Sequence, residues 1–193
     1  MNHFTFSIGD KYHELAKRLV GEMKGVGIKL NRFESPDTGD WMKNAMVRSH
    51  IVCKLNPPFW FFDCDIQCIS PKAHDYEVFK ELPPIESCDL FLNERPNNEP
   101  HDRYSAGLIG CFTQRGLDTL KTWSRKCFYD KHPETPLREQ LYLYEAIQEQ
   151  KPQIFKLMDN YNFVPPKDKQ PSRKQMIKSG VVILHIPASR PPK

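Results

Sequence analysis

An α/β domain, with a mostly parallel central sheet between layers of helices in a Rossmann-like three-layer arrangement, is the fold class this sequence predicts. Three observations carry that expectation. Short apolar runs alternate along the chain with segments of helical periodicity. One run, Phe59-Trp60-Phe61-Phe62, has four consecutive aromatic side chains that need cover on both faces, as in the middle of a helix-covered sheet. The run then stops at Asp63-Cys64-Asp65-Ile66, which puts two carboxylates at the C-terminal strand edge, where open α/β sheets bind their ligands.

The elements follow in order. His3 to Ile8 alternates as a strand, and Gly9-Asp10 turns the chain, with Asp10 as the expected cap of a helix over Lys11–Lys24 whose apolar positions are Tyr12, Leu15, Ala16, Leu19 and Met23. Gly25-Val26-Gly27 ends that helix, and Ile28–Phe33 reads as a second strand, parallel to the first through a right-handed crossover. A loop from Ser35 to Asp40 leads to a helix over Trp41–Leu55, stopped by Asn56-Pro57-Pro58, and the aromatic strand comes next. Ser70-Pro71 opens a helix to about Leu82 before Pro83-Pro84. Ser87–Leu92 is a strand, Asn93–Ser105 a surface loop near the same sheet edge, and Ala106–Phe112 a further strand whose glycines permit close approach. Helices are expected over Gln114–Phe128 and Pro136–Gln150, then short strands at Lys156–Asp159 and Val181–Ile186, flanking a basic, proline-rich loop at 165–180.

The 193 residues suit a single domain, 1–193, able to bury roughly 70% of its unfolded surface without staples. An apolar content of 39% excludes a disordered chain, and there is no uncharged apolar run of about 18 residues to span a membrane. Met1–Ser7 lacks a basic leader followed by an apolar stretch, so the expected location is the cytoplasm, a bacterial or virus-infected cytosol included. Cys53, Cys64, Cys68, Cys88, Cys111 and Cys127 contain no Cys-X-X-Cys pair and are expected as reduced thiols, without a zinc site. The net charge of +4 is uneven: Pro165–Lys193 carries +6, leaving about −2 for the rest. Such a tail is either a solvated terminus or a segment that meets phosphates.

Strand alternation would turn Asp63 and Asp65 to one side and Cys64 to the other. Two hard oxygen donors at one point suit Mg²⁺ or Mn²⁺ carrying a phosphate-bearing ligand.

Several segments, in order, resemble the nucleotide-diphospho-sugar transferases of the GT-A glycosyltransferase fold that carry an Asp-X-Asp motif. They are the opening strand ending Ser7-Ile8-Gly9; Trp41 and then Arg48-X-X-Ile51-X-X-X-Leu55; Phe61-Phe62-Asp63-Cys64-Asp65-Ile66; and Ser105-Ala106-Gly107-Leu108-Ile109-Gly110 before a helix with Trp123. Glu139-Gln140-X-X-Leu143-X-X-Ala146-Ile147, Tyr161-Asn162-Phe163 and a late His185 complete the set, which spans nearly the whole chain. The resemblance implies a hexosyl- or pentosyltransferase using a UDP- or GDP-sugar. Asp63 and Asp65 would hold a divalent metal on the donor diphosphate, with His185 as third contact and Asp63 also near the sugar or ribose. Main chain at Ser7, Ile8 and Gly9 would touch the nucleotide, Arg48 the donor, and Gly107 would let the backbone pass close to the sugar. Lys174 and Lys178, in the basic loop with Lys167, would fold over the diphosphate. Glu139 would be the acceptor's base or a sugar contact, although an acid in the first turn of a helix is favoured by the helix dipole in any case. The relatives' second carboxylate is missing from Arg138-Glu139-Gln140.

The acceptor is open between a glycan, a protein and a hydroxymethylated DNA base. Two other readings stand beside this one. In a haloacid-dehalogenase-like phosphatase Asp63 would be the nucleophile; those enzymes place the motif near the chain start and follow it with different residues. A non-enzymatic nucleic-acid-binding protein would use the basic tail.

Overall fold

The structure, a computed structural model, describes residues 1–80, 88–95, 98–132, 134–135, 138–161, 164–165 and 171–185. In chain order the strands and α-helices are β1 (Asn2–Ile8), α1 (Asp10–Gly25), β2 (Asn31–Ser35), α2 (Trp41–Val52), β3 (Phe59–Asp63), β4 (Ile66–Cys68), β5 (Leu90–Glu94), β6 (Tyr104–Cys111), α3 (Gln114–Tyr129), α4 (Arg138–Gln150), β7 (Ile154–Lys156), α5 (Arg173–Lys178) and β8 (Ile183–His185).

The four aromatic residues of β3 are each 0% exposed, and the strand lies inside a six-stranded sheet of order β2-β1-β3-β6-β5-β7. Alternation divides them between two cores. Phe59 and Phe61 pack with Met42 and Met46 of α2, Leu120 and Trp123 of α3, and Leu143 and Ile147 of α4. Trp60 and Phe62 face Leu19 and Met23 of α1 together with Tyr76 and Phe79. Helical cover on both faces is what four successive buried aromatics require. The β1–β2, β1–β3 and β5–β7 pairs are parallel, whereas β6 runs antiparallel to both β3 and β5. The sheet is therefore mostly parallel with one reversed strand. That reversal brings the beginning of β6, not its end, beside Asp63: the register pairs Phe62 with Leu108.

Several expected boundaries are corrected. Gly9, at φ 75°, takes the N-cap position of α1 with no side-chain hydrogen bond, and Asp10 is the first helical residue. Pairing of β2 with β1 begins only at Asn31, after the buried Ile28 and Leu30, so β2 is a polar edge strand. α2 ends at Val52 and is capped by Asp40, whose carboxylate accepts from the Met42 and Lys43 amides. The expected helix after Pro71 is a 3-10 segment, Ala73–Phe79. Three residues per turn puts Tyr76 and Phe79 on one face, and both are buried. Asn93, Glu94, Tyr104 and Ser105, expected in a loop, extend β5 and β6. The late strand expected at 156–159 is β7, which begins two residues earlier, at Ile154, and ends at Lys156.

The largest departure concerns the end of the chain. Instead of joining the main sheet, β8 pairs antiparallel with β4 in a separate two-stranded ribbon. Before it stands α5, a helix not expected from the sequence, closed by a capping box in which the Ser172 hydroxyl accepts from the Gln175 amide and the Gln175 side chain returns to the Ser172 amide. Ile69, Met176, Val181 and Leu184 give this unit its own small core. Pro83-Pro84, Asn162-Phe163, Lys167, Lys169 and the tail from 186 onward lie outside the described residues.

Candidate active site

β3 ends at Asp63, and Cys64-Asp65 form a turn before β4 starts at Ile66. The two carboxylates are thus presented by a turn and not by the alternation of a continuing strand. The β4–β8 register sets Ile66 opposite His185, so the residue after Asp65 carries the imidazole to it. His185 Nε2 lies 3.1 Å from Asp65 Oδ1. One ligating atom each from Asp63, Asp65 and His185 falls within 4.8 Å of the others, which is the separation a single ion can bridge.

The donor set and its charge test the fit of such an ion. Asp65 is 5% exposed, Glu139 3% and His185 8%. Arg48 lies between Asp63, which accepts a short hydrogen bond from Nη1, and Glu139, whose Oε1 is 2.9 Å from Nη2. With Asp63, Asp65 and Glu139 ionised and His185 neutral, three carboxylates stand against one guanidinium, and a divalent cation would balance the remaining two negative charges while holding those protonation states. Burial pushes Asp63 up from the ordinary carboxylate range, Asp65 adds to the rise, and Arg48 opposes it. Burial likewise raises Glu139 against the pull of Arg48. For Arg48 the desolvation cost is outweighed by Glu139 and Asp63, so the guanidinium is held charged. Burial disfavours the His185 imidazolium, yet Asp65 outweighs it and moves this group above its ordinary value. Burial keeps the Cys64 thiol protonated. His185 Nδ1 and the Ser7 hydroxyl are buried atoms with no hydrogen-bond partner among the described residues, positions a bound ligand or water would satisfy. The two carboxylates are oxygen donors that Mn²⁺ and Mg²⁺ accept, while the imidazole nitrogen suits Mn²⁺ better than the harder Mg²⁺.

Glu139 sits in the first turn of α4, and its backbone carbonyl accepts a hydrogen bond from Trp123 Nε1 at 2.8 Å. That contact fixes the start of α4 to α3. Nearby, Asp130 receives Arg138 Nε at 2.8 Å and the Tyr142 hydroxyl at 2.9 Å, which ties the end of α3 to the first turns of α4.

One pocket collects most of the residues singled out from the sequence: Ser7, Ile8, Arg48, Asp63, Asp65, Gly107, Glu139 and His185 all line it. Gly9 lines a neighbouring acidic cleft with Asp10, Glu34 and Asp37 instead. Lys174 and Lys178 are exposed on α5 and do not line the pocket, so the expected closure of these lysines over the diphosphate is absent from this arrangement. Arg48 lines the pocket as expected of a donor contact, and its guanidinium also pairs with two carboxylates there. The sequence reading gave no site role to Tyr12, Asn44, Arg95 and Asp102, nor to Ser105 and Gln140 beyond their place in the matched segments, and all six also line the pocket. Their only common signal is position, at the ends of elements that point to one sheet edge.

No protein-family model matches the chain, and no curated protein matches it. Solved structures do share its fold. A glycosyltransferase involved in the glycosylation of the major capsid of PBCV-1 superposes with a TM-score of 0.68 at 16% identity, over 97% of this chain and 94% of that one. The glycosyltransferase GlyE of Streptococcus pneumoniae TIGR4 gives 0.61 at 13% identity and, in its apo form, 0.59 at 14%, covering 95% of this chain each time. The chain spans 54% of the GlyE length. The six-stranded sheet with its reversed β6 is thus a fold shared with glycosyltransferases, in agreement with the GT-A resemblance of the motifs.

Proposed function

We propose that this protein is a metal-dependent glycosyltransferase that moves a sugar from a UDP- or GDP-sugar to an acceptor hydroxyl. The observation that carries the reading is the convergence of Asp63, Asp65 and His185 within 4.8 Å in a pocket that also holds Arg48 and Glu139, on a fold shared with glycosyltransferases. Asp63, Asp65 and His185 would hold Mn²⁺ or Mg²⁺. When bound, such an ion stabilises the negative charge that develops on the leaving diphosphate. Arg48 fixes the directions of Asp63 and Glu139 and adds a permanent positive charge below the donor. Main chain at Ser7 and Ile8 borders the nucleotide end of the pocket. Glu139 takes the acceptor proton in an inverting displacement, or hydrogen-bonds the donor sugar in a retaining one; the anomeric configuration of the product distinguishes the two. Among acceptors, a glycan or protein is favoured by analogy with the PBCV-1 neighbour, and a hydroxymethylated DNA base is the third candidate.

The test is a panel of UDP-, GDP- and other nucleotide-sugars scored for Mn²⁺-dependent thermal stabilisation and donor hydrolysis. Stabilisation by one donor class, lost on chelation, is the expected result. No shift with any donor, together with hydrolysis of a simple phosphomonoester, would replace this reading with the phosphatase one. Duplex-DNA binding that weakens steeply with salt, without any donor response, would replace it with the nucleic-acid-binding one.

A further inference from the structure

Gly107 is a glycine that its own backbone does not require. It lies inside β6, and it is not among the residues with positive φ, so an L side chain suits its conformation. What excludes a side chain is a single neighbour: a Cβ built on Gly107 would fall 2.4 Å from Cε1, 2.7 Å from Nδ1 and 3.2 Å from Nε2 of His185. The ring of His185 therefore rests on the bare backbone of β6. The seat and the ring come from different sheets, since β6 belongs to the main sheet and β8 to the ribbon.

We propose that Gly107 is a positioning residue for His185: the missing side chain is a seat for the imidazole, and the seat sets the ring against Asp65. The link from this seat to metal affinity rests on the reading of Asp63, Asp65 and His185 as the metal site. The ribbon alone does not fix the ring. Backbone pairing with β4 holds the main chain of residue 185, and Tyr76 bonds the carbonyls of Ser70 and Val182; the ring itself is held at its Nε2 by Asp65 and on its Cε1–Nδ1 edge by the bare backbone of β6. A methyl at 107 cannot coexist with the ring where it now stands, because all three nearest atoms belong to the ring itself, so the ring must move and its placement against Asp65 with it.

Thermal unfolding of four metal-free proteins, wild type, Gly107→Ala, His185→Ala and the double variant, tests the seat without any ligand. Gly107→Ala is expected to lower the midpoint by roughly 4–10 °C in the wild-type background and to have little effect, or a small gain, in the His185→Ala background. If Gly107→Ala does not fold but the double variant does, the seat is supported more strongly still. Equal losses in both backgrounds overturn it. Mn²⁺ titration followed by electron paramagnetic resonance is the second arm, with a ten- to hundred-fold weaker affinity expected in Gly107→Ala, on the scale seen for groups that orient metal ligands. Wild-type protein that binds no Mn²⁺ overturns the metal reading and leaves the unfolding cycle to decide the seat. A Gly107→Ala protein with unchanged Mn²⁺ affinity but raised donor KM overturns the positioning role in favour of a direct sugar contact.

Discussion

The two halves of the pocket satisfy charge in different ways. Asp63, Arg48 and Glu139 come from β3, α2 and α4, elements that share one core, and a guanidinium lies between the two carboxylates. Asp65 and His185 come from a turn and a three-residue ribbon strand, and the ribbon continues into a small core of its own. The first half carries its cation permanently in the covalent chain. The second sets a carboxylate against an imidazole whose charge depends on protonation. The difference separates a pair closed by a cation of the chain from one that, on the proposed reading, takes its cation from solution.

Arg48→Met should break the comparison most. It leaves Asp63 and Glu139 enclosed without their guanidinium, and removal of one partner from such a pair costs about 3–5 kcal/mol. Urea denaturation of the metal-free variant measures this; a loss under about 1 kcal/mol would mean that water already screens the pair. Asp65→Asn is expected to behave oppositely. Its metal-free unfolding midpoint stays near that of wild type, while the stabilisation by Mn²⁺ disappears, about 2.7 kcal/mol at a concentration 100 times Kd. Undiminished metal stabilisation and transfer in that variant would remove Asp65 from the site.

Tyr76→Phe probes how firmly the ribbon is fastened. Its hydroxyl lies 3.0 Å from the Ser70 carbonyl and 3.1 Å from that of Val182, and its loss should cost about 1 kcal/mol, readable as a lower midpoint. The smallest effect is a pH dependence in the layer beneath. His3 donates from Nε2 to the Phe79 carbonyl at 2.6 Å, and burial lowers its pKa from the ordinary 6.5. The unfolded chain then binds the proton more readily, so this contribution is full above about pH 6.5 and is lost as the pH falls through the lower folded value. Unfolding of wild type and His3→Gln between pH 7.5 and 5.5 should show the steeper acid loss in wild type; parallel curves would assign that loss elsewhere.

Local pattern made much of the fold legible. Four consecutive aromatics located β3, helical spacing located α1 and α3, and Asp63 and Asp65 declared themselves because they are two apart and follow an apolar run. Illegible features depended on long-range geometry. Nothing local ties Arg48 to Glu139, 91 residues later, since each reads as an ordinary polar position on its own helix. Gly107 looked like room for a ligand, because a sequence shows a missing side chain without showing what fills the space. The Ser172-X-X-Gln175 capping box was a local signal for α5, overlooked among prolines and lysines. β8 was placed as a late strand, but its apolar run could not say which strand it would pair with. The basic segment drew attention by charge alone, and Lys174 and Lys178 stand at the surface, where lysines are ordinarily found.

β6 is buried at every one of its eight positions and paired on both edges, whereas β8 has, among the described residues, three residues and one partner strand. Amides in β6 should exchange with solvent only when the whole chain opens, while those of β8 exchange through opening of the ribbon alone. Across the Gly107–His185 contact a slow clock is thus expected to touch a faster one, and any ligand gripped by Asp63 and His185 together would slow the second toward the first.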